Sequence, residues 1–505
     1  MLERYVKKIL KSRVYDVAQE TPLQIAPGLS ERVANTVLLK REDMQSVFSF
    51  KLRGSYNKMA QLTPEQAARG VITASAGNHA QGVALSAAAL KMKAVVVMGR
   101  NTPDIKVNAV KRRGAKVVLH GDGYDEAATH ARELAQAKGY TYVHPFDDPD
   151  VIAGQGTIGM EILNQHSGPL DVVYVPVGGG GLIGGISAYV KYLRSDVKVI
   201  GVEAEGSACL HAAMNKGRRV KLPFETLDLF ADGVSVAQIG KENFAIARKY
   251  VDEVVTVTTD EICGAVKDVF DDTRVLAEPA GALAIAGMKK HVQANGYEDK
   301  TLVAILSGAN VNFDRLRHIS ERAELGEARE AILGVSIAER AGSFHRFCKQ
   351  LGKRGITEFN YRFAGGDEAQ VYVGLKTDSQ ADRETLLRKL KKADYVVEDM
   401  TDNEAAKLHV RHMVGGRGRD TRHELLYRFE FPERPGALLK FLDVLGARWN
   451  ISMFHYRNHG AAWGRVLVGF QAGSEDQREL QAYLKEIGYR FWEESENPAY
   501  QMFLR

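Results

Sequence analysis

Four short stretches hold residue types that could do chemistry together. Ser49-Phe50-Lys51-Leu52-Arg53-Gly54 sets a lysine between apolar neighbours, just before a glycine. Ser75-Ala76-Gly77-Asn78-His79 places small residues and an amide after an apolar run, and Ser307-Gly308-Ala309-Asn310 does the same near residue 310. Between them stands Gly178-Gly179-Gly180-Gly181-Leu182. Glycines bare their N–H groups and let the backbone approach a phosphate, and a following helix adds its positive end. Four in a row cost conformational entropy that a bound ligand would justify. The run lacks the Lys-Ser/Thr ending of a P-loop. It also lacks the G-x-G-x-x-G spacing with an acidic ribose partner. A phosphate without a nucleotide points to a smaller cofactor.

Pyridoxal phosphate carries one phosphate and an aldehyde, and it forms a Schiff base with a lysine. Lys51 fits that role once the other three stretches are considered. Alone it would read as a surface charge, as most lysines are. In this reading Phe50 packs beside the cofactor ring, Asn78 bonds the ring hydroxyl, and Ser307 meets the ring nitrogen. Gly178, Gly179, Gly180, Gly181 and Leu182 cradle the phosphate. A neutral serine does not hold a ring nitrogen protonated as an aspartate would, which favours elimination over transamination.

The elements that must position these residues alternate between residues 71 and 306. Strands are expected at 71–74, 94–98, 116–119, 171–175, 197–202 and 301–306, with a helix over 79–90. Thr102-Pro103-Asp104 predicts a helix start with a hydroxyl cap and proline at the first helical position. Near-continuous apolar strands between helices imply a parallel sheet covered on both faces, an α/β fold. Ligands in such sheets bind beyond the carboxyl ends of the strands, so the three loops should converge on one crevice.

The texture changes after residue 320. "ERAGSFHRFCKQLGKRGITEFNYR" begins at Glu339, and "ERPGALLKFLDVLGARWNISMFHYR" begins at Glu433, 94 residues later. Such a duplication implies two copies of one module. Each copy reads as strand, helix, strand, strand, helix, strand, a small ferredoxin-like α+β unit. The expected division is 1–320 for the chemistry, 321–330 as a linker helix, 331–405 and 425–505 as the two modules, and 406–424 as a second linker.

Composition excludes other classes. The net charge of +5, from 68 basic and 63 acidic side chains, is small for 505 residues and gives no concentrated stripe for nucleic acid. Cys209, Cys263 and Cys348 are widely spaced, which argues against a disulfide framework or zinc site and suits a reducing compartment. Each reads as a buried structural thiol. Residues 172–190 are uncharged, but six glycines and Pro176 make them a strand and a turn rather than a membrane span. A cytoplasmic protein without a signal peptide is expected.

"SFKLRG", "SAGNHAQG", "GGGGL" and "SGAN" together resemble the fold type II pyridoxal-phosphate enzymes, and more narrowly the threonine and serine dehydratases. The tandem repeat resembles the paired ACT-like regulatory modules of the biosynthetic threonine deaminases. The resemblance implies two open α/β subdomains followed by two ACT-like domains, and a homotetramer. It implies dehydration of L-threonine, and more weakly of L-serine, to the 2-oxo acid and ammonia, as the first step towards isoleucine. Isoleucine would inhibit and valine would oppose it. Lys51 would remove the α-proton, while amides from Ser75, Ala76, Gly77, Asn78 and His79 hold the substrate carboxylate. Arg340 and Tyr361, with Arg434 and Tyr456, are the effector candidates, although each tyrosine could equally be a packed strand aromatic.

Two departures sharpen this. Racemases of the family carry a second serine where Ala76 stands here, which leaves Lys51 as the only evident base and favours dehydration. Relatives with a divalent metal place an acidic residue where Ser207 and Cys209 stand, so no divalent site is expected. A monovalent cation near Glu203 stays open. Glu278-Pro279 matches a family motif but reads equally as a helix start. The competing readings are another β-eliminating enzyme or racemase of the same fold, and a non-catalytic amino-acid sensor.

Overall fold

Two sheets, not one, carry the three loops. The computed structural model describes residues 1–100, 102–121, 124–223, 227–326, 329–362, 367–403, 406–407, 410, 423–432, 436–445, 448–457, 463–473, 476–497 and 500. The chain divides into Met1–Gly326 and Glu327–Arg505. Strands of the first unit are β1 Leu23–Ile25, β2 Thr36–Arg41, β3 Val71–Ala74, β4 Ala94–Met98, β5 Lys116–Leu119, β6 Thr141–Tyr142, β7 Val172–Pro176, β8 Lys198–Ala204, β9 Glu253–Val257 and β10 Thr301–Leu306.

The larger sheet has the order β1-β2-β10-β7-β8-β9 and the smaller one β5-β4-β3-β6. All pairings are parallel except that of the edge strand β1 with β2. β7 is buried along its whole length. The Gly181–Leu193 and Pro279–Asn295 helices both pack on it, which is why its sequence is apolar throughout rather than alternating. β10 and β7 are neighbours in register, so the loops after them, 307–310 and 177–181, leave the sheet side by side. The 75–78 loop leaves β3 of the smaller sheet, so the site draws on two subdomains where one sheet was read from the strand pattern.

One local expectation fails. The helix near residue 104 runs Asp104–Lys111, with Pro103 at the N-cap and no side-chain cap. Pro103 is extended (ψ 140°), so the helix starts one residue late and Thr102 lies too far out to cap it.

The second unit is an eight-stranded antiparallel sheet. Its strands are β11 Glu330–Ala338, β12 Ile356–Arg362, β13 Glu368–Lys376, β14 Val396–Asp399, β15 Glu424–Pro432, β16 Asn450–Arg457, β17 Trp463–Gln471 and β18 Arg490–Glu493, in the order β14-β11-β13-β12-β16-β17-β15-β18. Helices Ser343–Leu351 and Gln380–Lys392 complete the first βαββαβ copy, and Ala437–Leu445 and Gln477–Ile487 the second. The copies join through β12 and β16, where Phe359 pairs with Tyr456 and Tyr361 with Phe454, a two-fold arrangement. The stretch 321–330 is not one linker helix. The Leu316–Gly326 helix ends within it, and β11 begins at Glu330. Most of 406–424 lies outside the described residues.

Candidate active site

Lys51 opens the Lys51–Met59 helix. The turn before it is stitched to the 307–310 loop. Phe50 N–H donates to the Ser307 carbonyl (3.3 Å), Ala309 N–H donates to the Phe48 carbonyl (2.9 Å), and Ser49 bridges Gly308. Phe48 holds a left-handed φ of 54°, a strained conformation that this stitching supports. The Lys51 Nζ has no hydrogen-bond partner among the described residues. It lies 5.1 Å from the Phe50 ring centre. Burial pushes its amine down to about 8, against the pull of Glu278. A substantial neutral fraction near physiological pH is what a nucleophile or base needs.

Two sets of backbone amides near the strand ends are unspent. The N–H groups of Gly178, Gly179, Gly180, Gly181 and Leu182 donate to no oxygen among the described residues. Their opposite side is crowded. A Cβ on Gly178 would meet the Val234 backbone at 2.9 Å, one on Gly179 the Phe146 ring at 2.2 Å, and one on Gly180 Ile239 Cδ1 at 2.5 Å. Gly180 also has φ +89°. The glycines are therefore demanded by protein packing as well as by a ligand. The pattern of protein on one side and open amides on the other, at the start of the Gly181–Leu193 helix, fits a phosphate. Of the five amides expected to hold the carboxylate, Ser75 donates to the Val97 carbonyl (3.2 Å) and Gly77 to Ser75 Oγ (3.3 Å), which leaves Ala76, Asn78 and His79 without an acceptor among the described residues, at the uncapped start of the Asn78–Ala89 helix. A Cβ on Gly77 would meet nothing within 4 Å, so this loop faces open space wide enough for a small carboxylate. Buried lysine, phosphate cradle and carboxylate loop together fit pyridoxal phosphate and an amino-acid substrate.

Asn78 donates its Nδ2 to Glu278 Oε1 (2.6 Å) and accepts from Asn310 Nδ2 (2.7 Å) at Oδ1. Asn310 Nδ2 also donates to the Val47 carbonyl (2.8 Å). Ser307 Oγ donates to the Ala280 carbonyl (3.2 Å). Glu278 is buried, and burial raises its carboxyl to about 7, while the Asn78 bond favours the ionised form. The sequence left Glu278 as a helix start. Its backbone does occupy the N-cap of the Pro279–Asn295 helix, but its side chain makes no cap and turns to Asn78 instead. Lys51 is thus not the only titratable group here, as Ala76 had suggested. The family motif at Glu278-Pro279 was the signal available for it.

The His79 side chain points away from the carboxylate loop. Its Nε2 meets the Val143 carbonyl (3.1 Å), and burial, with Lys51 adding, pushes its pKa to about 3. The imidazole is therefore neutral, and only its backbone amide serves the loop. Glu203 spends one oxygen on the Leu210 amide and the other on the His211 amide, each at 2.8 Å, and burial raises its carboxyl to about 7. The three cysteines are buried and unpaired in disulfides.

The sequence missed the charge cluster below Lys51. Arg53 is fully buried. It donates to both oxygens of Glu42 (2.8 and 2.7 Å) and both of Glu161 (2.5 and 2.9 Å), and to Thr157 and the Gln19 carbonyl (each 3.1 Å). Lys40 pairs with Glu161 at 2.6 Å. The partners lie far apart in sequence, so spacing gave no hint.

In the second unit, Tyr361 and Tyr456 flank the β12–β16 seam and are largely buried. The Tyr361 hydroxyl donates to Glu339 Oε1 (3.2 Å), while Glu339 Oε2 is buried with no partner among the described residues. Burial raises that carboxyl to about 7. Arg340 is exposed on the turn before the Ser343–Leu351 helix. Arg434 lies outside the described residues.

Comparison with known proteins agrees along the whole chain. A family model for pyridoxal-phosphate dependent enzymes matches residues 14–308. A model for the C-terminal regulatory domain of threonine dehydratase matches twice, at 321–410 and 415–504. The biosynthetic L-threonine dehydratase IlvA of Burkholderia multivorans is 52% identical over 503 residues, covering 99% of both chains. Its Escherichia coli counterpart is 53% identical over 501 residues, covering 99% of this chain and 97% of that one. Among solved structures, the processed form of threonine deaminase isoform 2 from Solanum lycopersicum matches with a TM-score of 0.62 and 48% identity, covering 64% of this chain and 93% of that one.

Proposed function

We propose a division of labour among the residues of this chain from one premise: it belongs to the pyridoxal-phosphate-dependent enzymes and, within them, to the biosynthetic threonine dehydratases. It is a threonine ammonia-lyase with pyridoxal phosphate as cofactor and a C-terminal regulatory region, and it serves isoleucine biosynthesis. When bound, the cofactor supplies an electron sink for the substrate α-carbon.

Lys51 would hold the cofactor through its Nζ and, in its neutral form, would take the substrate α-proton. The observation that carries this is the half-buried Lys51, whose amine has no partner among the described residues and is pushed down to about 8 by desolvation. The Gly178–Leu182 amides would hold the phosphate, Phe50 would flank the ring and Asn78 would meet the ring oxygen, while Ser307 would meet the ring nitrogen by turning its hydroxyl from the Ala280 carbonyl. The Ala76, Asn78 and His79 amides take the substrate carboxylate and so orient the Cα–H bond towards Lys51. Ala76 offers no proton carrier of its own, which supports loss of the β-hydroxyl over racemisation. The β-hydroxyl would leave as water, with a proton that Lys51 can return or that the phosphate, when bound, would supply. L-serine, lacking the methyl group, is the weaker substrate. Lys51→Ala should lose threonine turnover by about 10²–10⁴-fold or more, together with the visible band of bound cofactor. Full turnover in that variant would refute the assignment.

Isoleucine inhibits and valine relieves through the second unit. Tyr361 and Tyr456 on the two-fold seam, with Arg340 on the turn before the Ser343–Leu351 helix and with Arg434, would form the effector grooves. The unpartnered Glu339 oxygen supports this, since an amino-acid ammonium would satisfy it. Inhibition requires that isoleucine bind two enzyme states unequally. Assaying 2-oxobutanoate formation with and without isoleucine, in the full chain and in Tyr361→Phe, tests the regulatory half. The working form is a cytoplasmic homotetramer, with the chemistry in Met1–Gly326 and the two regulatory modules at 331–405 and 425–505. Among the described residues no helix is long and apolar enough to cross a membrane. Sedimentation with and without isoleucine would check the assembly.

A further inference from the structure

The amide of Asn78 could in principle face either way, and only one orientation presents an N–H to a ligand. Asn310 settles one side. Its Nδ2 carries two hydrogens, and both are spent, one on the Val47 carbonyl and one on Asn78 Oδ1. Glu278 settles the other, because its Oε1 accepts from Asn78 Nδ2 at 2.6 Å. Turning the Asn78 amide over would set its oxygen against a carboxylate and its NH₂ against the NH₂ of Asn310. Both bonds would be lost and two repulsions gained. Asn78 then keeps one N–H without a partner among the described residues.

The surrounding backbone is shaped around that carboxylate. A Cβ on Gly308 would stand 2.2 Å from Glu278 Oε1. The Glu278 N–H donates to the Gly308 carbonyl (3.2 Å), so the 307–310 loop holds its backbone while Asn78 holds its carboxylate. The glycine of "SGAN" therefore makes room for a side chain that arrives from another element. Of the charges acting on Glu278, Asp232 opposes its ionisation, while Lys106 and Lys51 favour it.

We propose that Asn310 and Glu278 form a relay that locks the amide of Asn78, so that its remaining N–H is committed to the pyridoxal-phosphate ring oxygen. Glu278 is in this sense a positioning residue acting through Asn78. The relay rests on the assignment of Asn78 to the cofactor, and the test separates the two.

The test is a double-mutant cycle read as the dissociation constant of pyridoxal phosphate, by titration of its visible band. It uses the holoenzyme, Asn78→Ala, Glu278→Ala and the double variant. Each single change should weaken binding about ten-fold, the worth of one charge-assisted hydrogen bond. The double variant should be no weaker than Asn78→Ala alone, because Glu278 has nothing left to orient. Asn310→Ala should weaken binding in the wild-type background and add nothing in Asn78→Ala. If Glu278→Ala does not fold, Glu278→Gln closes the same cycle with a smaller first step. Multiplicative losses, about a hundred-fold in the double variant, would overturn the relay and leave Asn78 as a cofactor contact. Unchanged binding in Asn78→Ala would overturn both.

Discussion

Lys51 and Arg53 lie two residues apart on one helix and are treated in opposite ways. Arg53 points into the core and meets two carboxylates, a hydroxyl and a carbonyl. Lys51 points towards the crevice and meets no partner among the described residues. A buried charge is tolerable when it is paired and fully hydrogen-bonded. An amine left unpaired shifts towards neutrality instead, which is the state a nucleophile or base requires. The same division runs through the backbone. The amides of 178–182 face no protein acceptor, whereas the carbonyls of Gly179 and Gly180 are engaged by Asn243, Gly240 and Gly184. At these two places the paired polar groups hold the fold, and the Lys51 amine and the 178–182 amides stay open to a ligand.

The largest effect that would break the contrast is on stability. Arg53→Met leaves Glu42 and Glu161 buried without their main partner. It should cost about 3–5 kcal/mol in denaturant unfolding. If the loss were under about 1 kcal/mol, the cluster would not be holding the Lys51 helix. Lys51→Met should act in the opposite direction. The amine falls from its ordinary value of 10.5 to about 8 in the folded chain. A depressed value contributes stability above the unfolded pKa, and that stability is lost as pH falls through the folded one. Below pH 8 the cofactor-free wild type therefore carries a cost of up to about 3 kcal/mol that the methionine variant lacks. Cofactor-free Lys51→Met should be the more stable protein at pH 7, with the gap closing as pH rises through 8 towards 10.5.

Smaller effects sharpen the picture. Gly180→Ala adds a Cβ at a left-handed φ, against Ile239, and should cost about 1–2 kcal/mol and weaken retention of the cofactor. Stability without altered retention would detach the loop from the phosphate. Tyr361→Phe removes one hydroxyl bond to Glu339. It should raise the isoleucine concentration for half-inhibition about five-fold, while turnover without isoleucine stays as it was. Unaltered inhibition would mark Tyr361 as a packed strand aromatic.

The contrast also explains what could be read from sequence. The lysine, tetraglycine, asparagine and serine loops are contiguous motifs that follow apolar strands, so residue type and order were enough to raise them as candidates. The repeat was legible because whole phrases recur, and both copies fold as βαββαβ units. The carboxylates around Arg53 were not legible, since Glu42 and Glu161 come from a 3₁₀ turn and a distant helix. Nor was the role of Glu278, because a helix N-cap position says nothing of where the side chain turns. The seam between β12 and β16 depends on a register that neither strand states by itself. Two α/β subdomains came from the family resemblance and not from the strand pattern, which counts strands and does not partition them.

The central claim is that Lys51 is the residue held unpaired for the cofactor. Reducing the holoenzyme with borohydride fixes the cofactor to its lysine, and peptide mass spectrometry then locates it. The account requires the pyridoxyl group on the peptide that carries Lys51, in near-stoichiometric yield. Its appearance on another lysine, or no fixed cofactor in a preparation that turns over threonine, would contradict it.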